Sequence, residues 1–486
     1  MTRLSRSILL ASAAAIAIGC GDDDGGTGVI PPGAGTVNAD ITANRTFFAE
    51  TTYTISGYVK VTSGATLTIQ PGTRIVGDSD VPGSSLWVLR GARLIAEGTS
   101  TAPIVFTSEK AAGSRAPGDW GGIVIVGNGI INRTANPVNT EGGAAGEAEN
   151  YAGGSDNTDN SGSLRYVRIE FAGFDISNGG GQELNSLSLY AVGSGTRLEY
   201  VQTLAGLDDA FEWWGGAVDS RYLISTETGD DHFDWTEGFR GRNQFLIGYQ
   251  STRLTPAAGS GTFGSDPRGI EADGCDPNPA TAPDCAYTPD ATTPTGMNTP
   301  FSVPVLANVT LIGPGTAIAG YPADGNGVVL RRGTGGRLDR IVVARWFGKG
   351  LNGRDWWTDS LRLRDSLSIT NLVLGENNGG DYDAEPGAVG ALFAASKFAA
   401  SNHQLGGTTA TLVTALPTAG NIGDWRPTAG SLSASVGTAA PTPALTAQVA
   451  GYPYSGGWAT TGYVGAGDPA AGTNSWWTGW TTYATN

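Results

Sequence analysis

The chain predicts an all-β fold, a parallel β-helix with loop insertions and a C-terminal aromatic capping segment. Three observations carry that expectation. The first is a repeated acidic motif, Leu207-Asp-Asp-Ala-Phe-Glu-Trp-Trp-Gly-Gly216 and Gly229-Asp-Asp-His-Phe-Asp-Trp-Thr-Glu-Gly238, offset by 22 positions at Asp208/Asp230, Phe211/Phe233 and Trp213/Trp235. An offset of that size is one coil of a stacked solenoid. The second is the near absence of helical periodicity, with short alternating strands bounded by Gly, Asn, Asp and Pro. The third is composition: 75 Gly and 13 Trp in 486 residues, with 15% charged. Tight turns and flat stacked strands need that mixture, and helical bundles do not.

The elements follow in order. Residues 1–19 read as a signal peptide, with Arg3 and Arg6 before an apolar run from Ile8 to Ile18 that is too short to span a bilayer. The run ends Ala17-Ile18-Gly19-Cys20, which resembles the lipobox of bacterial lipoproteins and makes Cys20 the expected lipidation site. Ala17 and Ile18 depart from the usual pattern, so an ordinary signal peptide is the alternative. Residues 20–44 read as a flexible tether, because Gly21-Asp-Asp-Asp-Gly-Gly-Thr-Gly after Cys20 is polar and Gly-rich. An exported lipoprotein on the outer membrane or cell surface, held to the membrane by its lipid, is the expected localisation.

The β-helix is expected over residues 45–400. Tyr53-Thr-Ile-Ser-Gly-Tyr-Val-Lys-Val, Ala65-Thr-Leu-Thr-Ile-Gln-Pro-Gly-Thr-Arg-Ile and Leu86-Trp-Val-Leu-Arg-Gly give the first coils. Most of these strands alternate apolar and polar residues, which sends one set inward and the other outward. A second set opens on Gly: Gly162-Ser-Leu-Arg-Tyr-Val-Arg-Ile, Gly195-Thr-Arg-Leu-Glu-Tyr-Val and Gly336-Arg-Leu-Asp-Arg-Ile-Val-Val. Tyr200, Tyr222 and Phe245 keep the period beyond the acidic motif. Inserts at 132–161, 252–300 and 377–383 break it and read as surface loops. Cys275 and Cys285 flank a Pro-rich part of the second insert, and a local disulfide is expected. Ala388 to Ala400 is the best helical stretch apart from the signal. The segment 401–486 ends Ser475-Trp-Trp-Thr-Gly-Trp-Thr-Thr-Tyr and is expected to close the open end of the solenoid, with a sugar-binding patch as the sharper alternative.

Several strings together resemble a largely uncharacterised group of secreted bacterial proteins and lipoproteins. They are Thr66-Leu-Thr-Ile-Gln-Pro-Gly-Thr, Arg115-Ala-Pro-Gly-Asp-Trp-Gly-Gly-Ile, the first acidic motif and Trp477-Thr-Gly-Trp. The resemblance implies a right-handed parallel β-helix of the pectin-lyase-like kind. Gly229-Asp230-Asp231 also matches a motif of the polygalacturonases, whose other marks do not follow in the expected order.

Stacked in register, the two motifs would crowd six carboxylates at roughly 4.8 Å. Four readings of them are open. Asp208, Asp209, Asp230 and Asp231 cap turns through backbone N–H groups. Alternatively they hold Ca²⁺ with Glu271 and Asp273, since that cation takes 6–8 oxygens. In a third reading Glu212 and Asp234, with His232, perform acid–base hydrolysis of a glycosidic bond. The fourth is a lyase drawing a base from Arg240, Arg242 or Arg268. Alternation places Phe211 and Phe233 inward and Glu212, Asp234, His232 and Trp214 outward, and Trp213, Trp214 and Trp235 are the candidate sugar-stacking residues.

A net charge of −16 argues against nucleic acid as a partner, because phosphate recognition needs basic surface. It suits an extracytoplasmic protein that holds divalent cations. The expected function is a Ca²⁺-stabilised binding or structural module for extracellular polysaccharide or surface components. A polysaccharide-active hydrolase or lyase is the alternative.

Overall fold

The computed structural model describes residues 34–143, 146–275, 298–315, 318, 321–384, 403–431, 458–459, 461–472 and 474–486. The signal segment with Cys20, the expected helix at 388–400, and Cys285 lie outside the described residues. Cys275 is buried two residues beyond Ile270–Asp273.

The chain is a right-handed parallel β-helix with three walls. Strands pair in parallel with the strand one coil later, so the sheets grow along the axis. One wall is a ten-stranded sheet running from Tyr58–Val61 to Tyr382–Ala384. The other two walls belong to one fifteen-stranded sheet. Gly162–Glu170 shows how they join. Its first half pairs with Arg93–Glu97 and its second with Ile104–Ser108, two separate strands of the preceding coil. The bend between the halves is Tyr166, at φ 50°.

The same bend recurs at Tyr200, Tyr222, Phe245, Asn308, Arg340 and Asn371, all with φ between 50° and 63°. Left-handed backbone costs a residue with a side chain about 1 kcal/mol or more. Ring stacking offsets part of that cost here: Tyr166 on Tyr200 at 4.4 Å, Tyr200 on Tyr222 at 4.3 Å, and Tyr222 on Phe245 at 5.1 Å. The Tyr200, Tyr222, Phe245 periodicity of the sequence is this ladder of bends.

Inside, each coil contributes one rung of apolar side chains, such as Leu198, Val201, Phe211 and Trp213, followed by Leu223, Phe233 and Trp235. The first described strand, Ala34–Val37, falls in the segment expected to be tether and pairs with Thr52–Ile55. The last described strand is Gln404–Leu405, paired with Leu367–Gly375. A short helix, Trp356–Leu363, interrupts the strands, and the Asp355 side chain caps it by accepting from the Thr358 N–H.

The described residues of the aromatic tail cover apolar surface along the flank of the solenoid. Trp425, Trp477, Trp480 and Tyr483 pack on outward-facing residues of successive coils, among them Leu204, Ile224, Ile247 and Val373. Trp480 sets its edge against Tyr166 and Tyr200 at 5.8 and 6.1 Å. Side-chain amides hold the tail backbone in place. Gln202 donates to Thr482 O and accepts from Thr482 N, and Gln244 does the same with Ala459.

Candidate functional site

The two acidic motifs are vertical neighbours. Phe211–Trp214 and Phe233–Thr236 pair with Phe211 opposite Phe233, Glu212 opposite Asp234 and Trp213 opposite Trp235. Phe211 and Phe233 point into the core and stack at 5.6 Å, leaving Glu212 and Asp234 on the outer face. Ile270–Asp273 lies on the next coil and puts Glu271 beside Asp234.

The aspartates preceding each strand form a second ladder. Asn185 Oδ1 accepts the Asp209 N–H at 3.0 Å, and Asp209 Oδ1 accepts the Asp231 N–H at 2.8 Å. Asp231 Oδ1 in turn accepts the Arg268 N–H. Asp209 and Asp231 therefore tie one coil to the next through otherwise unpaired backbone donors. The turn-capping expectation held that aspartates bond backbone N–H groups; for these two residues the bonds run between coils rather than within a turn.

These side chains close around a cleft of about 220 Å³ lined by ten carboxylates and two guanidinium groups. Asp208, Asp209, Glu212, Asp230, Asp231, Asp234 and Glu271 all reach it. So do Glu141, Glu183 and Asp266, contributed by loop and hairpin segments, with Arg268 and Arg331. Arg268 pairs with Glu271, with Asp266 and, at 3.3 Å, with Asp231. Arg331 pairs with Glu271 and, at 2.8 Å, with Asp273. Asp273 also takes Arg332 at 2.6 Å. Glu271 and Asp273, expected among the metal ligands, are thus neutralised by arginines.

The carboxylates lining the cleft outnumber its guanidinium groups. Two triads, Asp208/Asp209/Asp230 and Asp209/Asp231/Asp234, each bring three carboxylate oxygens within 4.8 Å of one another, and Asp209 belongs to both. Each triad contains one orphan: Asp230 Oδ1 and Asp234 Oδ1 are closed off from solvent and accept no hydrogen bond. Burial, and then the charge of neighbouring carboxylates, pushes Asp208, Asp209, Glu212 and Asp234 well above the usual carboxylate range. Asp230 is raised by the same causes against the pull of Arg268. Asp231 is raised to about 7 by burial, with Arg268 holding it down. Burial and mutual repulsion thus favour the protonated forms of these groups. A hard cation supplies the missing positive charge and takes oxygens with vacant lone pairs, so the donor set fits Ca²⁺.

A family model for the pectate-lyase-like β-helix domain matches residues 39–379. The chain belongs to this family. Neither a curated protein nor a solved structure matches it. The match spans the acidic cleft of this pectate-lyase-like β-helix and leaves the flanking aromatic tail outside.

Four sequence-predicted site residues sit elsewhere. Trp213 and Trp235 are 1% exposed and fill the core with the Phe ladder, so neither stacks on a sugar. Trp214 does face outward, but it stacks on Tyr190 at 3.9 Å beneath an insert that contributes Val138, Tyr151 and Ala152. His232 is buried and does not line the cleft: Nδ1 lies 2.6 Å from Ser225 Oγ, and the ring meets Trp346. Burial lowers its pKa to about 3, which keeps it neutral. Alternation fails there because the strand starts at Phe233 and His232 is in the bend before it. Of the arginines considered for a base, Arg268 reaches the cleft. Arg242 is bound to Asp219 at 2.6 Å, and Arg240 is exposed and outside it.

Proposed function

We propose that this pectate-lyase-like β-helix is an exported, lipid-anchored binding module that engages extracellular polysaccharide or a surface component through Ca²⁺ held in the acidic cleft. One observation carries the reading: ten carboxylates face two guanidinium groups in a single cleft, and the two triads sharing Asp209 each contain a buried oxygen without a partner. The family's fold supports a polysaccharide-related role. Asp208, Asp209, Asp230, Asp231 and Asp234 would hold the cation, with Glu212 beside them. Cys20 would carry the lipid, and residues from Gly21 up to the first strand would hold the solenoid off the membrane.

The test is a glycan array and a thermal melt, each with Ca²⁺ and with chelator. Ca²⁺ should raise the melting temperature and promote glycan retention, and Glu212→Ala/Asp234→Ala should erase both effects. Retention and melting that ignore chelator would refute it.

A second reading rests on the Glu212–Asp234 rung. Glu212 and Asp234 are adjacent carboxyls, both pushed up by burial, and a protonated carboxyl beside a second carboxyl is what glycosidic acid–base chemistry employs. That enzyme would turn over a glycan and lose turnover in Glu212→Gln with its melting temperature unchanged.

A further inference from the structure

A second cavity, of about 520 Å³, lies between the flank of the solenoid and the C-terminal tail. Its wall carries four aromatic residues, Tyr222, Phe245, Tyr463 and Trp476, together with Asp468 and Asn474. Tyr222 and Phe245 belong to the ladder of bends in the large sheet, whereas the acidic cleft is built on the ten-stranded sheet. The two sites share no lining residue.

The aromatic groups are held before any ligand arrives. Phe245 lies parallel to Tyr222 at 5.1 Å, and Trp476 meets Tyr222 at 5.3 Å. Trp476 donates its indole N–H to Ala466 O at 3.0 Å, which fixes the ring. Asp468 Oδ1 accepts the Ala470 N–H at 2.8 Å, which fixes the carboxylate. Burial and the charge of Asp468 raise the Tyr463 phenol, so it stays a hydrogen-bond donor. A cavity of this size falls in the range of small-molecule sites, about 300–1,000 Å³.

We infer that this cavity is a binding site for a neutral sugar unit of a glycan chain, independent of the acidic cleft and of any cation. A pyranose offers apolar C–H faces and a rim of hydroxyl groups. The half-buried rings of Trp476 and Tyr463 match the faces, with Tyr222, sandwiched between Tyr200 and Phe245, as the wall behind them, while a carboxylate, an amide and a phenol match the rim. Among the described residues no Lys or Arg lines the cavity, and Asp468 adds negative charge, so a uronate or sulfated sugar is disfavoured. The site lies partly on the tail beyond residue 379, outside the family match.

Saturation-transfer NMR and isothermal titration of the protein against neutral gluco-, manno- and xylo-oligosaccharides, in excess chelator, test this. At least one series should bind. Trp476→Ala should abolish binding. Asp468→Asn with Asn474→Ala should weaken it at least ten-fold without lowering the melting temperature, since the Asn keeps an acceptor for the Ala470 amide. Asp209→Asn in the cleft should leave it unchanged. No binding of any neutral series would overturn the assignment, as would binding that survives both pocket variants or that requires Ca²⁺.

Discussion

Asp209→Asn separates the structural and electrostatic roles of the acidic ladder. Asp209 shares its two triads with Asp208, Asp230, Asp231 and Asp234, with carboxylate oxygens no more than 4.8 Å apart within each triad. At that separation and an effective dielectric constant near 20, each like-charged pair costs about 3.5 kcal/mol. Four such neighbours amount to about 14 kcal/mol, as large as the net stability of a typical domain, about 5–15 kcal/mol. The metal-free cluster therefore cannot be fully ionised, and protons relieve most of the repulsion. Asn preserves the carbonyl that accepts the Asp231 N–H, as Asn185 already does one coil earlier. Removing a carboxyl that the fold forces to hold a proton should stabilise the metal-free protein at neutral pH by about 1–2 kcal/mol, a rise of a few degrees in Tm. It should also take one ligand from both triads, so the gain in Tm on adding Ca²⁺ should shrink severely. Asp209→Ala should instead lower the metal-free Tm, because a buried backbone N–H loses its acceptor at a cost of about 1–3 kcal/mol. Thermal melts by circular dichroism, with chelator and with Ca²⁺, read all three proteins. An Asp209→Asn variant that melts below wild type without metal, or keeps the full Ca²⁺ response, would refute this reasoning.

Metal-free stability should fall as pH rises from about 4, where an unfolded carboxylate ionises, through about 7, where Asp231 does, because the folded cluster holds more protons than the unfolded chain. Ca²⁺ should flatten that decline, as melts across the pH range would show. Trp235→Ala should cost about 3–5 kcal/mol by opening a core cavity, measurable by denaturant unfolding, while glycan affinity of the folded fraction stays unchanged. Gln202→Ala with Gln244→Ala should loosen the tail and speed its proteolysis while the solenoid stays resistant. Cys20→Ser should move the protein from the membrane fraction to the soluble fraction of its host, as fractionation and blotting would show.

The acidic stack was legible because no insertion separates the two motifs, so equal offsets became equal heights on one wall. The bends at Tyr200, Tyr222 and Phe245 showed for the same reason, although periodicity alone does not reveal a left-handed residue. His232 was misread because alternation holds only inside a strand, and its strand begins one residue later. Trp214 has the right parity, but an insert remote in sequence folds over it. Arg331 was missed because a long insert separates it from its partner Asp273, leaving no fixed offset. Glu141 and Asp266 come from inserts whose return path no pattern encodes. The helix Trp356–Leu363 is only eight residues, too short for periodicity to outweigh the surrounding strand pattern.

Calcium titration of the chelator-treated protein by calorimetry, in buffers of different ionisation enthalpy, addresses the cleft most directly. Saturable uptake should release protons near neutral pH, as the cation displaces those held by the crowded carboxyls, and Asp209→Asn should suppress both. Absence of uptake, or uptake without proton release that the substitution leaves untouched, would contradict a cation site on the stacked aspartates.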